Sequence, residues 1–167
     1  MVMNWFRNNA VAASLLAIIR VYVGYTFLTA GWGKISGDEK FDASGFLAGG
    51  IEKSTGEHPA VQGWYASFLE NVALPNVSFI NVLVPWGEFL VGIALILGIL
   101  TTFSAFMGLI MNVNFLLAGA ISTNPNLMIM EFLLLVGGWN AGRIGLDYFL
   151  IKLREKRVGS EEREVAA

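Results

Sequence analysis

The residues of this sequence most able to do chemistry are ionisable side chains inside apolar runs. Arg20 lies in AIIRVYVGYTFLTAGWGK (residues 17–34), about midway through the apolar run from residue 10 to 32, Glu88 opens WGEFLVGIALILG, and Glu131 interrupts LMIMEFLLLVGG. A charge at the centre of a bilayer costs about 2.5–3.5 kcal/mol on insertion scales, so a partner or a polar cavity is expected beside it. On a helix, Arg20, Gly24, Phe27, Gly31 and Lys34 share one face. The two glycines there let a neighbouring helix come close, which turns Arg20 into the protein and away from lipid. Glu88 is its expected partner, because their depths below the outer surface differ by roughly 6 Å at 1.5 Å per residue. Asn112 and Asn114 add amides, and Trp32 and Lys34 stand at the mouth of the first apolar run. Two carboxylates and two cations exceed what one structural pair needs, so they outline a pocket for a small molecule. The alternative is that they only hold helices together. In a pocket, Arg20 and Lys34 would favour an anion or a polarised carbonyl, and Glu88 and Glu131 would accept or relay protons.

The elements that must position these groups follow from apolar run length. A hydrocarbon core of about 30 Å takes roughly 20 helical residues, and in lipid a helix satisfies its own backbone. Four spans are expected, at about 10–32, 80–100, 103–121 and 127–142, the last continuing as a helix to Lys152. Thr101–Thr102 is a tight connection, and Asn124-Pro125-Asn126 marks a turn and helix start. The fold class is therefore all-α, an integral membrane four-helix bundle forming one domain over 1–152. The 34–79 connection is too long for a structureless loop. It is expected to be an extracytoplasmic insertion that caps the bundle with short amphipathic helices, anchored at the interface by Trp64, Tyr65 and Phe68. Residues 153–167 read as a solvated cytoplasmic tail. Arg7 before the first span, and Arg143, Lys152, Arg154, Lys156 and Arg157 after the fourth, put both termini in the cytoplasm of a plasma-membrane protein.

Composition narrows the chemistry. Only 14% of residues are charged, against about a quarter in soluble domains. The net charge of −2 and the lack of a basic patch interleaved with aromatics point away from nucleic acid. There is no cysteine and one histidine, His58. Iron–sulfur clusters, thiol chemistry, cysteine-held zinc and bis-histidine haem therefore lack ligands, and no metal is expected. No dinucleotide or phosphate-loop fingerprint is present. Arg143 and Asp147 stand at i, i+4 and read as a local pair. Trp86, like Trp139, reads first as a packing or interface aromatic. With Trp32 it is kept among the candidate binding residues.

RVYVGYTFLTAGWGK, GEFLVGIALILGILT and AGRIGLDYFL together resemble the DoxX/DoxD family of small four-helix membrane proteins. HPAVQGWYASFLENVALPN resembles the extracytoplasmic insertion of DoxD-like members. The resemblance implies a membrane subunit of a quinone-linked oxidoreductase. DoxD-like members are tied to thiosulfate:quinone oxidoreductase, which oxidises thiosulfate and passes electrons to a membrane quinone, menaquinone or ubiquinone. It also implies membrane lipid, a DoxA-like or other redox subunit, or further copies of the chain as partners. On that basis Glu88 and Glu131 are the candidate catalytic residues. Arg20, Lys34, Trp32, Asn112, Asn114 and Trp86 are the candidates for binding substrate or quinone. The rival expectations are a small-molecule binding or transport protein, and a membrane scaffold for a soluble redox partner.

Overall fold

The computed structural model describes residues 1–149, 152 and 153, and among them every regular element is helical. In chain order these are α1 (Val2–Asn8), α2 (Ala10–Ser36), α3 (Ser44–Glu52), α4 (Gly63–Phe68), α5 (Val77–Leu97), α6 (Thr101–Leu117), α7 (Asn124–Gly137) and α8 (Trp139–Gly142). Helix α2 starts where the Asn9 side chain accepts from the Val11 amide at 2.8 Å, and it runs 27 residues to Gly37. Helix α5 stops at Gly98, whose φ of 67° ends a helix in the left-handed conformation glycine tolerates. Helix α7 opens with Pro125 in its first turn, where the missing N–H has no partner to lose.

Helix α2 packs most extensively on α5, α6 packs on α7, and α2 also lies against α7 and α8. Leu16, Val23, Leu95, Ala105 and Leu134 are fully buried between them. The outward faces remain apolar, with Ile18, Tyr25, Phe79, Phe103 and Ile129 all exposed. An apolar outside around a packed inside suits a lipid environment. Two helical stretches, Ala10–Ser36 and the continuous Gly63–Leu97, are long and apolar enough to cross a membrane, while α6 and α7 are shorter apolar helices.

The structure departs from the sequence expectations in two places. The last helix does not run unbroken to Lys152, although residues 147–149 and 152 and 153 are again helical. Gly138, at φ 54° and ψ −128°, breaks it, and the chain bends after Gly142 to lie along the end of α5. There Leu146 and Asp147 donate amides to the carbonyls of Leu97 and Gly98. In the connection, Trp64 and Phe68 are exposed, but Tyr65 is not an interface anchor. It is 5% exposed inside a second core with Leu47, Val61 and Leu69, and its hydroxyl lies 3.0 Å from the side-chain oxygen of Asn114. Helix α4 also runs through a π-helical turn (Leu69–Ala73) and a short 3-10 turn (Leu74–Asn76) straight into α5. The expected 153–167 tail lies, apart from Leu153, outside the described residues, as do Arg154, Lys156 and Arg157.

Candidate functional site

Three glycines set the distance between α2 and α5. A Cβ on Gly24 would lie 2.9 Å from the Ile96 amide nitrogen, and one on Gly31 would lie 2.8 Å from the Pro85 carbonyl oxygen. A Cβ on Gly92 would meet the Leu28 backbone. Side chains above that contact therefore face each other closely. Lys34, one turn beyond Gly31, reaches the Glu88 carboxylate, with Nζ to Oε2 at 2.6 Å. Glu88 is 3% exposed, so its charge is carried almost wholly by this one ammonium group. The Lys34 ammonium also lies 5.8 Å from the centre of the Phe41 ring, within reach of a cation–π attraction.

The pair borders a cleft of about 320 Å³ between the upper halves of α2, α5, α6 and α7. Phe27, Phe115 and Leu127 supply apolar walls, and Phe41 and Phe46 cover the cleft from the segment leading into α3 and from α3 itself. Asn112 lines it as well, together with the polar Thr26, Thr123 and Asn124. Behind it lies Glu131, 0% exposed, where the Asn112 side-chain amide donates to both carboxylate oxygens at 2.9 Å. Gly108 leaves room for that carboxylate, since a Cβ there would meet Oε1 at 2.5 Å.

The other candidates lie elsewhere. Arg20 is 3% exposed and points inward, but its partner is not Glu88. It packs on Gly98, ten residues further along α5, which is roughly 15 Å away along the helix. Its Nη1 donates to the Ala141 carbonyl at 3.1 Å and its Nη2 to the Ile144 carbonyl at 2.6 Å, within the electrostatic influence of Asp147. Asn114 turns to Tyr65 and donates to the Ile110 carbonyl. Trp32 and Trp86 are about half exposed on the outside of the α2–α5 pair, where each packs against Phe89. None of these four lines the cleft.

Sequence reasoning missed Asp147 and Asn140. Asp147 does not pair with Arg143. Its two oxygens accept from the amides of Leu100 and Thr101, each at 2.8 Å, and so cap α6. Arg143 donates instead to the Asn8 carbonyl. Buried Asn140 donates to the carbonyls of Phe6 and Asn9 and ties α1 to α8. An isolated aspartate after a glycine-rich turn is a recognisable capping signal, but the helix it caps lies 46 residues away in sequence.

No curated protein and no solved structure matches the chain. The family model described as DoxX matches residues 15–120, more than half of the sequence, covering most of α2 and the whole of α3 through α6. That stretch carries Arg20, Lys34, Glu88 and Asn112. An all-helical protein with two membrane-length apolar helices and this match is a membrane protein, and it belongs to the DoxX family.

Proposed function

We propose that this chain is the membrane subunit of a quinone-linked oxidoreductase, with the cleft beside Lys34 and Glu88 as its quinone site. In this reading α2, α5, α6 and α7–α8 cross the plasma membrane as a four-helix bundle. The segment through α3 and α4 forms the extracytoplasmic cap, and both termini are cytoplasmic. Arg7 donates to the Val136 carbonyl and Arg143 to the Asn8 carbonyl, away from the cap, which supports this orientation under the positive-inside rule.

One observation carries the reading: Lys34, Glu88 and Asn112 border a cleft whose walls are largely apolar, with Thr26, Thr123 and Asn124 as its other polar lining residues. Such a lining fits a flat ring bearing oxygen atoms. A quinone, when bound, supplies the redox chemistry, taking up two electrons and two protons as it becomes a quinol. Phe27, Phe41, Phe46 and Phe115 would hold the ring and keep water from it. Lys34 Nζ would donate to a ring oxygen. Glu88 is held by Lys34 through Oε2, which leaves Oε1 to exchange a proton with that oxygen. Glu131, oriented by Asn112, would hold a second proton one layer deeper.

The same lining suits an inorganic dianion poorly. The only ammonium group in the cleft is already engaged by Glu88, and Glu131 adds a second acidic group. Arg20, the other cation expected to serve an anion, is held by carbonyls at the far end. In a DoxD-like assembly, thiosulfate or a related donor would therefore be oxidised on a second, DoxA-like subunit, and its electrons would reach quinone here. The test is titration of the purified protein in nanodiscs with short-chain ubiquinone and menaquinone analogues, followed by tryptophan fluorescence. Saturable binding is expected. Lys34→Met should weaken it about tenfold, the loss of one charge-assisted hydrogen bond of about 1.5 kcal/mol. No saturable signal with either quinone class would overturn the reading.

A further inference from the structure

The cleft occupies one half of the helix assembly, and the other half is packed in three successive layers. Its floor is Phe27 and Leu127. Beneath them Val23, Leu95, Ala105 and Leu134 are each wholly excluded from solvent. The next layer is the Arg20 guanidinium, locked by the carbonyls of Ala141 and Ile144 and flanked by Gly98 and Gly145. A Cβ on Gly145 would come within 2.6 Å of Nη1, so little space is left around that group. The final layer is Leu16 pressed on Gly137, with Asn140 drawing α1 across the end of α8. Glu88 in the cleft wall, and Glu131 behind Asn112, lie on the Lys34 side of all three layers.

We propose that the cleft is a chamber with a single entrance, so that water and protons reach Glu88 and Glu131 only from the membrane side that Lys34 and α3 face. The apolar layer offers no hydrogen-bond path for a proton. Beyond it the Arg20 guanidinium, with Asp147 as a neighbouring opposite charge, is fixed by two carbonyls and packed against Gly98 and Gly145. Whatever proton exchange the cleft performs is therefore referred to one compartment, and the chain does not conduct between the two. The inference rests on the membrane-spanning arrangement proposed above. It does not depend on quinone being the ligand.

The cysteine-free sequence permits a direct test on the full-length protein. Single variants Ala30→Cys in the cleft lining, Ala105→Cys in the apolar layer and His58→Cys on the exposed connection are reconstituted into sealed vesicles. Each is treated with a membrane-impermeant cationic methanethiosulfonate before and after permeabilisation, with monodispersity in detergent as the control for folding. The His58→Cys variant reports the fraction of molecules whose cap faces outward. The Ala30→Cys variant should be labelled in intact vesicles to that same fraction, and the Ala105→Cys variant on neither treatment. Thr26→Cys, also in the cleft lining, is the substitute if Ala30→Cys is not monodisperse. Complete labelling of the cleft cysteine in intact vesicles would mean access from both sides and would overturn the proposal. So would its failure to label after permeabilisation, or any labelling of the Ala105→Cys variant. Loss of quinone binding with the one-sided pattern intact would remove the proposed function and leave this inference standing.

Discussion

Gly31→Ala tests the α2–α5 contact on which the site depends. An added Cβ would sit 2.8 Å from the Pro85 carbonyl oxygen and 2.9 Å from Phe89 Cα, both backbone atoms that cannot rotate away. Ordinary contact needs about 3.5 Å or more, so the helices must separate by roughly 1 Å at this level. Overpacking of this kind costs about 1–3 kcal/mol. Replacing glycine by alanine inside a helix returns about 1 kcal/mol of propensity. The net expectation is a loss of up to about 2 kcal/mol. Gly33, two residues along the same helix, is the matched control: a Cβ there meets nothing within 4 Å. Gly33→Ala should be neutral or stabilising by up to about 1 kcal/mol. Equilibrium unfolding in mixed micelles, run on both variants, gives the comparison. The separation should also lengthen the Lys34–Glu88 contact and weaken ligand binding in Gly31→Ala alone. If Gly31→Ala proves as stable as Gly33→Ala, the close approach of these helices is wrong, and so is the placement of Lys34 opposite Glu88.

Three further outcomes follow from the same geometry. Lys34→Met leaves the Glu88 carboxylate buried without its cation, so it should destabilise the protein more than the Lys34→Met/Glu88→Met double variant. A double-mutant cycle on unfolding free energies measures the coupling. Asp147→Ala removes two hydrogen bonds to the start of α6, and a loss of about 1–2 kcal/mol is expected, read from the same unfolding curves. Asp42 lies in the connection, where the hydroxyl and amide of Ser44 and the amide of Asn81 hold its carboxyl below the usual carboxylate range. A lowered folded-state value means its contribution is present above the ordinary carboxylate pKa and is lost as pH falls through the lowered value. Amide exchange at Ser44 should therefore accelerate only under strongly acidic conditions, and in Asp42→Asn it should be faster and independent of pH across that window once the intrinsic exchange rate is divided out.

Much of this architecture was legible in residue pattern. The apolar runs located α2, α5, α6 and α7 to within a few residues, because run length and helix length are the same physical quantity in a membrane. The glycine face of α2 was readable because small residues at helical spacing can only mean close approach. The partner of Arg20 was not readable. The depth estimate took the outer ends of the first and second spans to be level, but the helices pack in a shifted register, with Gly31 against Pro85 and Phe89 and Gly98 against Arg20. That register sets Lys34, and not Arg20, opposite Glu88. The groups that do hold Arg20 are backbone carbonyls, which every residue carries and no sequence pattern marks. Tyr65 was misjudged for a related reason. An aromatic at an amphipathic surface and one that hydrogen-bonds a neighbouring helix look alike until the fold supplies the neighbour.

The passage from α4 into α5 without an intervening loop has a mechanical consequence. At about 1.5 Å per residue, the helical run Gly63–Leu97 is roughly 50 Å long measured along its path. Its first turn carries Tyr65, tethered to Asn114, and its later part carries Glu88. A displacement of α4 is therefore passed along one backbone toward a wall of the cleft. The π-helical turn at Leu69–Ala73, where the backbone is wound most loosely, is the natural pivot.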